Sequence, residues 1–248
     1  MKQKPLFAYI IWCFGIAWFC NAIVIAIPSL PDIINKATSA IGAFAPTIAV
    51  IVLLKKFGIV NERKSIWQFL FDFPKKINAY GILLVYLAWR FLSFAVTGDT
   101  SQAQPLYMLF PIFAVQIFFQ GGLEEPGWRG FLQPYFEKKY PLALSIVLVS
   151  ILWAVWHIPL WFVLDSTQSQ MSFLIFFLQI LVNTCSLTAI LKLTKSVAMC
   201  IIFHAWSNAV FLVIPFDMGI GIVVAYTIEA VASLIICLVY DRKKKITA

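Results

Sequence analysis

Two adjacent carboxylates and an arginine lie in a very apolar part of this 248-residue chain. Glu124, Glu125 and Arg129 fall in GGLEEPGWRG, which follows the apolar run MLFPIFAVQIFFQ. A carboxylate of suitable pKa can act as a general base and activate water. Glu125 and Arg129 are four residues apart with the acid first, which favours an ion pair on a helix. Glu124 points about 100° away from Glu125, so the sequence predicts different roles for the two glutamates.

The chain has two histidines, and both lie in apolar surroundings. His157 falls in LWAVWHIPL, and His204 precedes Asn208 by four residues in IIFHAWSNAV, which places these two on one helical face. Imidazoles and a carboxylate can hold Zn²⁺ with an open position for water, and an asparagine can donate to an oxyanion. Each feature alone has a structural alternative, a packed histidine or a structural ion pair. Their combination on three helices points to hydrolysis.

The composition shows what kind of element must carry these residues. Hydrophobic residues make up 62% of the chain and charged residues 12%, about half the charged fraction of a soluble domain. A membrane-spanning helix needs about 20 mainly apolar residues, and in lipid only helices and closed barrels satisfy their own backbone. Eight stretches are apolar enough: about 6–27, 38–54, 79–97, 105–122 (continuing to about 136), 142–164, 171–191, 197–214 and 219–240.

The sequence therefore predicts an all-α membrane protein, a bundle of about eight transmembrane helices in one domain over 1–248. The residues that could take part in a reaction lie in a core at about 105–215. Arg90 and Glu229, also ionisable and within predicted spans, could pair with each other or lie near helix ends. The five cysteines lie in apolar stretches without metal-like spacing, which favours a packing role.

The net charge of +8 is distributed as membrane topology requires. Basic residues concentrate at both termini and in alternate connections, among them the segment 55–78. The positive-inside rule then places both termini in the cytoplasm. The charge thus sets topology in a cell membrane, where lipid is the partner and nucleic acid is not.

The turn at Tyr140 and Pro141 predicts that two of the polar residues meet. Glu124 lies sixteen residues before Tyr140, and His157 lies seventeen residues after it. In antiparallel neighbouring helices these positions come level, so the carboxylate and the imidazole can approach each other. His204, from a later helix, could complete the group.

Three motifs in this order resemble those of the CPBP family of intramembrane proteases, which includes the type II, Rce1-like CAAX prenyl endopeptidases. They are EExxxR at 124–129, an aromatic residue three positions before histidine at 153–157, and HxxxN at 204–208. The family usually has phenylalanine where this chain has Trp153, which keeps an aromatic wall. Order and spacing agree over roughly 105–215.

The resemblance implies an eight-helix bundle that hydrolyses peptide bonds at the membrane. It implies that Glu124 and His157 surround the attacking water, that Arg129 orients the second glutamate, and that His204 and Asn208 stabilise the oxyanion or bind metal. Two chemistries stay open. Either Zn²⁺ is held by Glu124, His157 and His204, or a glutamate activates water without metal.

We therefore expect a multi-pass intramembrane endopeptidase, a metalloendopeptidase if zinc is bound, in a prokaryotic plasma membrane. Its substrate would be membrane-anchored, such as a prenylated C-terminal peptide or a peptide precursor. One alternative is a non-catalytic protein of the same fold that acts by binding, as an immunity or signalling partner. The other is an ion-coupled transporter, which the absence of internal sequence repeats disfavours.

Overall fold

The computed structural model describes residues 4–57, 66–99, 101, 103–215 and 219–246, and every regular element within these ranges is helical. The α-helices are α1 (Lys4–Ala26), α2 (Asp32–Ala43), α3 (Ala45–Phe57), α4 (Ile66–Leu70), α5 (Ile77–Thr97), α6 (Leu109–Phe118), α7 (Glu125–Gly127), α8 (Gln133–Glu137), α9 (Leu142–Trp156), α10 (Phe173–Thr194), α11 (Val197–Val213) and α12 (Ile220–Ile246). Short 3₁₀ turns cover Leu106–Met108, Gly121–Glu124, Ile158–Phe162 and Gln168–Gln170, and a π turn covers Trp128–Leu132.

The predicted all-helical membrane fold is confirmed. Among the described residues, six helical segments are long and apolar enough to cross a bilayer, and the bent pair α2–α3 would be a seventh. α11 is apolar but has only 17 residues. Large apolar side chains such as Ile77, Val96 and Ile220 are more than four-fifths exposed, as lipid-facing positions require. The number of eight spans and the cytoplasmic termini stay predictions, and residues 58–65 of the basic connection lie outside the described ranges.

Three of the predicted spans are interrupted, and proline or glycine lies at each break. The stretch predicted at 142–164 passes from α9 into the 3₁₀ turn Ile158–Phe162, which contains Pro159. The stretch predicted at 38–54 belongs to α2 and α3, which meet at Phe44 with a bend of 48°. Pro46 directly follows this bend, and its missing N–H suits the first turn of a helix. The stretch predicted at 105–136 divides into α6, a 3₁₀ turn, α7, the π turn and α8, where Gly121, Gly122 and Pro126 interrupt regular α-helical bonding.

The first of two compact units comprises residues 1–70 and 123–180. Within it α1 packs against α2 and α3, and α3 packs against α7. A Cβ atom added at Gly127 would lie 2.4 Å from Cβ of Pro46 and 2.6 Å from Oη of Tyr9. Since real Cβ atoms essentially never come so close, only glycine lets the acidic segment approach α3 and α1. The Thr47 hydroxyl also donates to the Leu123 carbonyl, which ties α3 to the residue before Glu124.

The second unit comprises residues 71–122 and 181–248. Its helix α11 packs against α5 and α6, and α12 packs against α5. Ser196 caps α11: its hydroxyl accepts from the Met199 amide at 3.2 Å and donates to the Asp72 carbonyl at 2.7 Å. Trp206 donates to the Leu87 carbonyl at 2.9 Å. These contacts fix α11, the helix that carries His204 and Asn208. Each unit combines two chain segments, and the single domain over 1–248 stays a prediction.

Candidate active site

The two glutamates lie at the junction of a 3₁₀ turn and α7, both buried. Glu124 is 5% exposed and Glu125 is 0% exposed. A charged group is costly in the apolar membrane interior unless it has partners. The environment of each carboxylate therefore decides what each can do.

Glu125 lies in the ion pair that the sequence predicts. Nε of Arg129 donates to Oε2 of Glu125 at 3.0 Å, and both side chains are fully buried. Nη1 of Arg129 donates to Oε1 of Gln133 at 3.0 Å, and Nε2 of Gln133 donates to Oε1 of Glu137 at 2.7 Å. This ladder repeats every four residues through the π turn and into α8. Glu125 is thus bound to a cation within its own helical segment.

Glu124 receives two hydrogen bonds from neutral donors. Nε1 of Trp128 donates to Oε2 of Glu124 at 3.2 Å, and Nε1 of Trp153 donates to the same oxygen at 2.8 Å. Trp128 is four residues after Glu124, just as Arg129 is four residues after Glu125. One helical turn therefore pairs the first carboxylate with an indole and the second with a guanidinium.

His157 follows the last residue of α9, and the same tryptophan orients it. Its Nδ1 lies 2.8 Å from the Trp153 carbonyl oxygen. Because a carbonyl only accepts, Nδ1 carries a proton, and in the neutral form of the ring the lone pair is then on Nε2. The rings of Trp156 and Phe176 enclose the imidazole edge-on at 4.7 and 4.9 Å between centroids. The side chain of Trp153 holds Glu124 and its backbone holds His157, which connects the two residues predicted to meet.

Trp153 also contacts Arg129, whose Cζ lies 5.0 Å from the indole centroid. This cation–π contact adds to the ion pair with Glu125. The sequence motif indicates an aromatic wall at this position but not a hydrogen-bond donor. The indole N–H that distinguishes Trp153 from phenylalanine was the available signal.

In the second unit, His204 and Asn208 lie on one face of α11, as the four-residue spacing predicts. His204 is 5% exposed and Asn208 is partly buried. A Cβ atom added at Gly121 would lie 2.3 Å from Nδ2 of Asn208 and 2.8 Å from Nε2 of His204. The backbone at Gly121 therefore packs directly against both polar side chains, and a larger residue at this position would displace them.

Gln116 is a polar residue of this region that the sequence reasoning missed. Nδ2 of Asn208 donates to Oε1 of Gln116 at 3.0 Å, and Nε2 of Gln116 donates to Oε1 of Gln120. Gln116 is only 3% exposed. A signal was present, since Gln116 and Gln120 are polar residues four apart in an otherwise apolar run. This chain of amides fixes the orientation of the Asn208 side chain.

The metal prediction concerns residues of both units. Glu124 and His157 belong to the first unit and His204 to the second. Within the described residues of either unit, no three histidine, cysteine, aspartate or glutamate side chains are grouped as metal ligands. Zinc binding by the three predicted residues stays a prediction, as does their joint action with Asn208.

Comparison with known proteins assigns the chain to a family. The family described as type II CAAX prenyl endopeptidase, Rce1-like, matches residues 106–210, a range that contains all three motifs. CAAX prenyl protease 2 of Methanococcus maripaludis is 30% identical over 228 residues, which cover 82% of this chain and 80% of that relative. The chain is therefore a multi-pass membrane protein that belongs to the Rce1-like family of CAAX-type intramembrane endopeptidases.

Proposed function

We propose that this protein hydrolyses a peptide bond in a membrane-anchored substrate and that Glu124 is the general base. The contrast between the two glutamates carries the proposal. Glu125 is committed to Arg129 at 3.0 Å, whereas the two indole groups on Glu124 are neutral donors. An indole N–H holds a carboxylate in place and itself carries no positive charge, unlike a guanidinium. A carboxylate held in this way suits proton abstraction from water.

In the proposed reaction, the oxygen of water attacks the carbonyl carbon of the substrate while Glu124 takes a proton from that water. The carbonyl becomes an oxyanion in a tetrahedral intermediate. The side chains of His204 and Asn208 donate hydrogen bonds to this oxyanion. The intermediate then collapses, the C–N bond breaks, and the proton held by Glu124 passes to the leaving amine. His157, with its lone pair on Nε2, accepts a hydrogen bond from the attacking water and orients it.

A bound Zn²⁺ would be held by Glu124, His157 and His204. The Nδ1–carbonyl bond of His157 fits this role, because zinc-bound histidines commonly donate their other N–H to an oxygen. The ion would lower the pKa of the water bound to it and would polarise the substrate carbonyl. Metal content of the purified protein, measured before and after His204→Ala, separates this chemistry from the metal-free one. About one equivalent of zinc per protein in the wild type, together with a lower zinc content in His204→Ala, would support the zinc chemistry.

The substrate we propose is a prenylated C-terminal peptide. A relative that matches over most of this chain is named a CAAX prenyl protease. The exposed apolar faces of the membrane-spanning helices support this choice, because a prenyl anchor would insert into the same lipid. The test is cleavage by the purified protein in liposomes of two peptides that differ only in the prenyl group. We expect cleavage of the prenylated peptide. Cleavage of neither peptide, nor of other membrane-anchored peptides, would instead favour a non-catalytic binding protein.

Gly121 offers a test of the oxyanion role of α11. Gly121→Ala would push Asn208 and His204 out of position, and loss of one oxyanion donor costs about 10²–10³-fold in kcat. Gly81→Ala is the matched control, because a Cβ atom there meets nothing within 4 Å. We expect Gly81→Ala to cleave like the wild type. Equal turnover by both variants would remove His204 and Asn208 from the proposed reaction.

A further inference from the structure

We infer that Trp153 and Trp128 are positioning residues that hold the Glu124 carboxylate by two N–H donors on one oxygen. The inference rests on the proposed function, because it assigns Glu124 as the group whose position matters. The donor distances are 2.8 Å from Trp153 and 3.2 Å from Trp128. Trp128 reaches Glu124 from the next turn of the same segment, and Trp153 reaches it from α9.

Both indoles are themselves held rigidly. Trp128 is 0% exposed and Trp153 is 1% exposed, and their ring centroids are 6.1 Å apart. The guanidinium of Arg129 lies over the Trp153 ring at 5.0 Å, and Arg129 is fixed by Glu125. The structural ion pair of the second glutamate thus supports the tryptophan that positions the first glutamate. Hydrogen bonds between immobilised groups fix a carboxylate more firmly than bonds from mobile side chains.

The chemistry of the indole suits this task. An indole N–H donates but cannot accept, so neither tryptophan competes with Glu124 for a proton of water. Because the donors are neutral, they do not cancel the charge that a base requires, as a guanidinium would. A phenylalanine at position 153 would provide the ring without the donor. The hydrogen bond from α9 to Glu124 therefore depends on the tryptophan at position 153.

The activity test compares Trp153→Phe, Trp128→Phe and the double variant with the wild type. Each single change removes one hydrogen bond to a charged group, and we expect kcat to fall about tenfold or more while KM changes less than about twofold. The double variant should lose about 100-fold. Trp161→Phe is the matched control: it also removes an indole hydrogen bond, from Nε1 to the Met171 carbonyl at 2.9 Å. We expect its kcat to equal that of the wild type.

A spectroscopic test separates positioning from mere support of the fold. The indole N–H resonances of the nine tryptophans are recorded by NMR with ¹⁵N-labelled tryptophan and assigned from the Trp→Phe variants. In Glu124→Gln the resonances of Trp128 and Trp153 should shift, whereas that of Trp161 should not. This readout needs no turnover. It therefore tests whether the two indoles contact Glu124 even if the wild type cleaves no peptide and the proposed function fails.

Two results would overturn the inference. One is unchanged kcat in the Trp153→Phe and Trp128→Phe double variant of an active protein. The other is a Glu124→Gln spectrum in which neither indole resonance moves. A fall in kcat together with shifts of both resonances supports it.

Discussion

Each of the two units buries a carboxylate–guanidinium pair, but the two pairs are built differently. In the first unit, Glu125 and Arg129 are four residues apart in one helical segment, at 3.0 Å. In the second, Glu229 of α12 and Arg90 of α5 are 139 residues apart and meet at 2.6 Å. Helical geometry brings the local pair together, whereas only the packing of the bundle brings the distant pair together.

The distant pair is also part of a wider polar cluster. Nη1 of Arg90 donates to Asn183 at 2.9 Å, and the Ser186 hydroxyl donates to Glu229 at 2.6 Å. Both of these partners come from α10, so the cluster joins α5, α10 and α12. The comparison shows that burial of charge is not itself a sign of catalysis. The first unit differs chemically because a further carboxylate, that of Glu124, lies next to its ion pair.

The largest loss of stability is expected for the distant pair. Breaking a buried ion pair by removing one partner costs about 3–5 kcal/mol. Arg90→Met should reach the upper end of that range, because the Glu229 carboxylate loses the guanidinium and keeps the Ser186 hydroxyl. Melting temperature in detergent measures the effect, with Arg242→Met at an exposed position as the control. Equal melting temperatures for the two variants would show that the distant pair does not stabilise the fold.

A smaller loss is expected for the local pair. Glu125→Gln should cost about 3 kcal/mol, the lower end of the range, because Arg129 keeps Gln133 and the ring of Trp153 as partners. Turnover should fall as well, since the support of Trp153 weakens. The same melting measurement checks it. A loss larger than that of Arg90→Met would reverse the comparison.

The smallest net effects are expected when both charges of a pair are removed. Glu125→Gln with Arg129→Gln should recover part of the stability lost by Glu125→Gln, because no unpaired charge stays buried. Arg90→Met with Glu229→Leu should recover less, because Asn183 loses the guanidinium and Ser186 keeps only the Val182 carbonyl of its own helix. Double-mutant cycles from melting data give the two coupling energies. Equal recovery in both pairs would show that the wider cluster contributes nothing.

In both units, the features that depend only on spacing along one helix were predictable from the sequence. The Glu125–Arg129 pair and the shared face of His204 and Asn208 follow from a four-residue spacing on a helix. The all-helical membrane fold follows from composition, because lipid leaves few other ways to satisfy the backbone.

The remaining features depend on packing between segments distant in sequence. The Trp153 N–H donor to Glu124 spans 29 residues, and the Asn208–Gln116 bond spans 92. No periodicity in the sequence encodes either contact. The Arg90–Glu229 pairing was one of two open alternatives for the same reason. To predict such contacts one must know how the helices are shifted and rotated against each other, and composition and spacing do not specify this.

The central claim is that Glu124 acts as the base while Glu125 supports the structure. The most direct measurement is cleavage of a prenylated peptide in liposomes by Glu124→Gln, with Glu137→Gln as the matched acid-to-amide control. A general base contributes about 10²–10⁴-fold, so Glu124→Gln should lose at least that much turnover, with a smaller loss of melting temperature than Glu125→Gln. Glu137→Gln should cleave like the wild type. Wild-type turnover by Glu124→Gln would contradict the account.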